Sequence, residues 1–291
     1  MKYFGAVLLI ITCNALHAAT SKSVAYILRD TIAVADTDTI VRKNSVSAGV
    51  SYGSDALFFG RTGPIKYPFM ATDVIFNSKS GVFVYGSALK VLGYDPLADE
   101  IDVGGGYFYR LSKKFTGTIS YTRFIFNRQA NIIKSASSND INFKNSYDWK
   151  YLKSSLTIDY LFGKSYDIFT TISTSKYIES NFSVFDDKDF VSINPTVNII
   201  LGTQNFVQRY SVDHQYRLEV DNINLYNQNG RRRANARFNM LNYSFKLPIA
   251  YNRPHYTVEA SYRYSIPVNV EQILKNRKES FFNLTFYYVF F

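Results

Sequence analysis

Phe281-Phe282-Asn283-Leu284-Thr285-Phe286-Tyr287-Tyr288-Val289-Phe290-Phe291 is the stretch on which the reading of this chain turns. Aromatic and β-branched residues favour extended backbone. The alternate residues Phe282, Leu284, Phe286, Tyr288 and Phe290 would then give one face of the strand without a polar interruption. Counting back from Phe291 gives Val289, Tyr287, Thr285 and Asn283, a weaker apolar face, so the sequence leaves two registers open for the last strand. An edge strand this apolar invites pairing with other chains, whereas a barrel removes the edge by joining its last strand to its first.

The same period of two recurs upstream. In Val191-Ser192-Ile193-Asn194-Pro195-Thr196-Val197-Asn198-Ile199-Ile200-Leu201 the odd positions are apolar or Pro and the even ones mostly polar. Tyr256, Val258, Ala260, Tyr262 and Tyr264 alternate with Thr257, Glu259, Ser261, Arg263 and Ser265. Leu156, Ile158, Tyr160 and Phe162 do so with Ser155, Thr157 and Asp159, and Ile101, Val103, Tyr107 and Tyr109 with Asp102 and Arg110. Weaker segments near 46–53, 68–77, 82–92, 115–127, 167–178, 206–215 and 237–247 bring the expectation to about twelve strands, with ten or fourteen also compatible. No stretch approaches 18 consecutive apolar residues, so helical spans are excluded although hydrophobic residues make up 46% of the chain.

Connection lengths order the strands. Short ones at 77–81, 112–114, 163–166 and 202–205 alternate with longer ones near 128–148, 179–189, 216–236 and 266–280. Short turns on one side and long loops on the other are the habit of membrane barrels, and this alternation predicts both termini on the short-turn side. At the start, Lys2, the apolar run Gly5 to Thr12 and the small residues up to Ala18-Ala19 read as a secretory signal over 1–18. Residues 19–44 read as a polar tail and 45–291 as the barrel. The single cysteine, Cys13, lies within the signal, so no disulfide or thiolate site is expected after cleavage.

With signal, alternating strands and a terminal Phe, residues 45 to 291 resemble a bacterial outer-membrane β-barrel protein. The resemblance implies an all-β, closed antiparallel transmembrane barrel in the outer membrane, with periplasmic termini. It also implies that Phe290 and Phe291 serve as a signal to the barrel-insertion machinery. The formal charge of +10 would suit nucleic acid. In an exported barrel the expected partners are instead membrane lipids and lipopolysaccharide, with further envelope proteins as candidates.

Catalysis is not expected. Outer-membrane phospholipases and deacylases display a His-x-Ser pair, because a serine nucleophile needs an imidazole base. Neither His214 nor His255 is followed by Ser two residues later. Asp213-His214 is at most a weak likeness to the residues of outer-membrane proteases. Asp186, Asp187 and Asp189 lack the glycine and closing glutamate of a dedicated calcium loop and read as a solvated acidic turn, so no metal or cofactor is assigned. Arg231, Arg232 and Arg233 suit lipopolysaccharide phosphates. Asp102, Arg110, Lys153, Asp159, Arg209, Lys246, Glu259 and Arg263 fall on the polar faces and are the candidate lumen lining. The expected function is a narrow channel for small polar solutes, with a structural or accessory subunit of a larger assembly as the alternative and a hydrolase behind both.

Overall fold

The computed structural model describes residues 44–63, 66–94, 96–127, 137–163, 166–205, 238–270 and 276–290. The first eight strands are β1 (Ser45–Gly53), β2 (Phe69–Asn77), β3 (Val82–Val91), β4 (Glu100–Arg110), β5 (Phe115–Phe126), β6 (Ser137–Trp149), β7 (Leu152–Gly163) and β8 (Tyr166–Ser175). After the short β9 (Ile178–Glu179) come β10 (Phe190–Ile193), β11 (Thr196–Gly202), β12 (Asn239–Asn252), β13 (Tyr256–Pro267) and β14 (Glu279–Phe290). All pairings are antiparallel, and sequential neighbours pair from β1 to β8 and from β11 to β14.

Two seams close the ring. At one, β1 pairs β14 from Val46 opposite Phe290 to Gly53 opposite Asn283. At the other, β8 and its continuation β9 run beside β10 and β11. Thr203 N donates to Ile168 O at 3.0 Å and Lys176 N to Pro195 O at 3.2 Å, on the same register as the β9–β10 pairs Ile178/Ile193 and Glu179/Ser192. The result is a closed antiparallel barrel of twelve strands, β9 and β10 being the two extra pieces. The stretch 191–201 is thus not one strand. Pro195 has no N–H to give to the ladder, and the pairing is interrupted at Asn194-Pro195 between β10 and β11.

The expected long loop near 128–148 is a second correction, because most of it forms β6. Ile141, Phe143, Tyr147 and Trp149 alternate with Asn142, Lys144, Ser146 and Asp148, so the period of two was present. The expected strand at 206–215 lies outside the described residues. Omitting β6 inverts the expected sides of the connections at 163–166, 179–189 and 202–205, whereas those at 248–254 and 266–280 keep theirs, because the extra strand expected at 206–215 restores the alternation. The loop 180–189 therefore sits at the end that holds Ser45 and Phe290, while Gly163, Tyr166 and Thr203 sit at the opposite end. The end that holds Ser45 and Phe290, the turn end, also carries the turns 78–81, 111–114, 150–151 and 253–255; the other is the loop end.

Outward-facing positions carry an apolar belt. On β14 that face is Phe282, Leu284, Phe286, Tyr288 and Phe290, all exposed, whereas Phe281, Thr285 and Tyr287 are buried inside. This settles the register of the last strand in favour of the stronger apolar face; Phe291 lies outside the described residues. Elsewhere the belt includes Val74, Val103, Ile119, Ile158 and Ile249, with Tyr52, Tyr121, Tyr160 and Tyr264 towards the loop end and Tyr107, Tyr147, Trp149 and Tyr288 towards the turn end. No described helix is long and apolar enough to cross a membrane. An outward apolar band with aromatic rims is the surface by which a barrel meets hydrocarbon.

Candidate functional site: a lumen crossed by the β1–β2 segment

Residues 54–63 leave β1 at the loop end and fold into the barrel, and 66–68 lead into β2. Asp55 fixes the base of the segment, its Oδ1 accepting from Tyr67 N at 2.8 Å, while Ser54 Oγ accepts from Phe282 N at 3.0 Å. At the tip, Phe58 and Arg61 exchange two backbone hydrogen bonds of 2.9 Å around Phe59 and Gly60, with φ of 45° and 74°. Two consecutive positive φ angles make the tightest hairpin turn. Gly60 meets the second of these, and any Cβ there would overlap Asn242.

The tip reaches the far wall. Phe59 packs with Leu161, Phe169, Ile200 and Leu241, contributed by β7, β8, β11 and β12. In a ring of twelve, β7 stands opposite β1, so the segment spans the lumen instead of lining it. Phe59 stacks on Phe169 with centroids 3.5 Å apart, and Phe58 meets the same ring edge-on at 6.2 Å. Burying a Phe side chain stabilises by about 1.5–3 kcal/mol and the ring pair adds roughly 0.5–1.5 kcal/mol.

Arg61 holds the other side of the tip and is 1% exposed. Its Nη1 donates to Leu241 O at 2.7 Å, and its Nη2 to Gln204 Oε1 at 2.9 Å, Val268 O at 2.7 Å and Asn269 O at 3.1 Å. Gln204 Nε2 also donates to Asn269 O, at 3.0 Å, so one amide ties the guanidinium to the β13–β14 connection. Asn242 Nδ2 donates to Gly60 O at 3.0 Å and to Ser265 Oγ at 2.6 Å. A guanidinium is rich in N–H donors and has no acceptor, and here backbone carbonyls and one amide oxygen accept from Nη1 and Nη2 of Arg61 in a buried site.

Below this constriction the wall is polar. Asp102 on β4 and Asp159 on β7 are buried on the inward face; Asp102 accepts from Ser87 Oγ at 3.2 Å and Asp159 from Asn142 Nδ2. Lys246 on β12 and Glu259 on β13 form an ion pair of 3.4 Å, with Arg263 directly opposite Lys246 in the ladder. Arg110 and Lys153 share the inward register but are exposed at the turn end. Arg209, Asp213, His214 and Arg231 to Arg233 lie outside the described residues. Sequence reasoning missed the crossing segment, Arg61 with it, and the inward residues Asp140, Asn142 and Lys144 of β6. Two aromatics ahead of Gly-Arg in a connection between strands was a signal for the first.

The acidic loop is built, not merely solvated. Asp189 accepts from Val184 N, Phe185 N and Asp186 N at 2.6, 2.9 and 3.3 Å and from Tyr251 OH at 2.8 Å. Burial opposes its ionisation, but the hydrogen bonds from Val184, Tyr251 and Phe185 outweigh burial and hold its pKa below the ordinary carboxylate value. Asp186 pairs with Arg253 of the β12–β13 turn. His255, in the same turn, stacks against Tyr288 with centroids 6.2 Å apart. Among the described residues no cluster of three or more His, Cys, Asp or Glu could hold a metal ion.

No family model matches the chain, and no curated protein matches it. Among solved structures it is similar to a KdgM porin, at 7% identity and a TM-score of 0.46 over 85% of this chain and 99% of that one. It is also similar to an outer-membrane channel from Pseudomonas putida F1, at 9% identity and 0.42 over 88% and 100%. A third is LpxR from Salmonella typhimurium, at 7% identity and 0.44 over 85% and 100%. At such values the likeness assigns no activity.

Proposed function

We propose that this protein is an integral outer-membrane barrel that forms a narrow passage for small polar solutes, throttled at its loop end by the β1–β2 segment. In this reading residues 1–18 are cleaved, 19–44 form a periplasmic tail, and the turn end faces the periplasm. The carrying observation is the Phe59–Arg61 tip seated on the wall opposite its own strand. A segment that crosses a lumen sets the size of what passes, and the carboxylates and cations of the wall beneath it would select by charge. No histidine of the chain stands in a His-x-Ser pair, and the reading is non-enzymatic.

A second reading is favoured by how little of the inward wall is accessible: Asn142, Asn242 and Thr285 are 0%, 1% and 2% exposed. A filled barrel of this kind would serve as a rigid subunit of a larger envelope assembly. Planar-bilayer recordings separate the two. A channel gives small discrete conductance steps that grow when Phe59 and Arg61 are both replaced by Ala. Silence from both proteins, with a partner co-purifying in mild detergent, would replace the channel with the assembly subunit.

A further inference from the structure

Among the described strand residues, only Lys90 and Arg123 are charged side chains in the outward register, and no outward position carries an acid. Both lie near the loop end of their strands, Lys90 one residue from the end of β3 and Arg123 three from the end of β5. Lys90 is already engaged, its Nζ donating to Tyr94 O and Pro96 O. Arg123 is exposed and, among the described residues, engaged through one nitrogen. Its Nη1 donates to Ser138 Oγ and Asn139 Oδ1, both at 2.9 Å.

That contact orients the guanidinium. Asn139 Oδ1 accepts as well from Tyr121 OH at 2.7 Å, and Asn139 Nδ2 donates to Phe162 O at 3.1 Å, so the amide is fixed at both ends. Nε and Nη2 of Arg123 make no hydrogen bond among the described residues. They form one edge of the planar fork, the edge that takes a phosphate or carboxylate bidentately. Around it stand Val103, directly opposite in the ladder, and the exposed Ile101 and Ile125.

An arginine on the lipid face is unfavourable, the more so with depth, and neutral partners such as Ser138 and Asn139 do not cancel its charge. A lipid headgroup phosphate does. We propose that Arg123, held by Asn139 and Ser138, is a binding site on the outer wall of β5–β6 for the phosphate of a bilayer lipid in the loop-end leaflet. The acyl chains would lie along Val103, Ile119 and Ile141. A free phosphate is disfavoured, because the apolar belt beside the fork offers it no hydration.

The inference rests on reading the outward belt as membrane-embedded, and the experiment keeps the two apart. Wild type and Arg123→Gln are inserted into phosphatidylethanolamine vesicles doped with bisphosphorylated lipid A, or with the same lipid stripped of its phosphates, and the doped lipid retained per barrel after extraction is measured. The wild type should retain the phosphorylated lipid, Arg123→Gln should retain roughly tenfold less, as loss of one charge-assisted contact implies, and Arg123→Lys should fall between. Tyr121→Phe, which removes one of the hydrogen bonds that hold the orienting amide without touching the charge, should weaken retention to a smaller degree. Equal retention by wild type and Arg123→Gln, or of the two lipid forms, would overturn the site while leaving the barrel reading intact. Displacement of the lipid by millimolar inorganic phosphate would also overturn it, in favour of a free anion. Failure of the wild type to insert would overturn both readings.

Discussion

Phe59 lies flat on Phe169, with the ring planes 12° apart, although Phe59 belongs to the connection after β1 and Phe169 to β8 on the opposite arc of the ring. One stacked pair thus joins two walls that share no ladder. The base of the segment is held independently by Asp55 and Ser54, so loss of the stack should release the tip before the root.

Phe59→Ala should lower stability by about 3–5 kcal/mol, the usual range for a buried Phe, because the cavity opens among Leu161, Phe169, Ile200 and Leu241. Denaturant unfolding in detergent micelles measures it. Phe59→Leu should recover much of the loss, and a cost below about 1 kcal/mol for the Ala variant would mean that the tip is not seated on the far wall.

Val197→Arg places a charge on the outward face of β11 and should cost roughly 2–4 kcal/mol near mid-membrane. By alternation alone Asn198→Arg should be tolerated provided the lumen has room, but Asn198 is buried between Ser173 and Ser244, with Oγ atoms at 3.4 and 3.5 Å. The larger side chain should therefore cost about 1–3 kcal/mol by overpacking. Folding titrations into lipid vesicles read both, and an Asn198 variant as stable as wild type would show room in the lumen at that level.

On the last strand, Phe286→Arg should impair insertion more than Thr285→Arg impairs contact with lipid, since Phe286 is exposed in the middle of the outward face and Thr285 is buried inside. Phe290→Asp, at the rim, should act chiefly on assembly. The heat-modifiable folded band in membrane fractions distinguishes these, and full assembly of Phe286→Arg would reverse the faces of β14.

The Asp189 staple predicts a pH dependence with a definite sign. Its folded pKa lies below the ordinary 3.8, so its contribution to the 184–189 fold is complete above about pH 4 and is lost as pH falls through the lower folded value. Protection of Phe185 and Asp186 amides from hydrogen exchange should persist at pH 4 and vanish in stronger acid. Asp189→Ala should abolish it at neutral pH. Protection lost already near pH 5 would contradict the assignment.

Sequence by itself determined the strands and their faces wherever alternation is regular, because side chains of an extended chain point to opposite sides whatever the strand pairs with. Ile101 to Tyr109 and Tyr256 to Tyr264 were legible for that reason, as were Asp102, Asp159 and Glu259 as residues opposed to lipid, whereas on the last strand the choice between the Phe282 and Phe281 faces came from the structure. Only the tertiary structure decided which end the connections after β5 occupy, since one unrecognised strand, Ser137–Trp149, inverts those at 163–166, 179–189 and 202–205. It alone decided that the ring closes between β8 and β11, that Phe59 and Arg61 cross the lumen, and that Arg123 faces outward beside Asn139. Those relations join residues distant in the chain, and their geometry is fixed by the number of strands and by their register, quantities that belong to the closed sheet and not to any one strand.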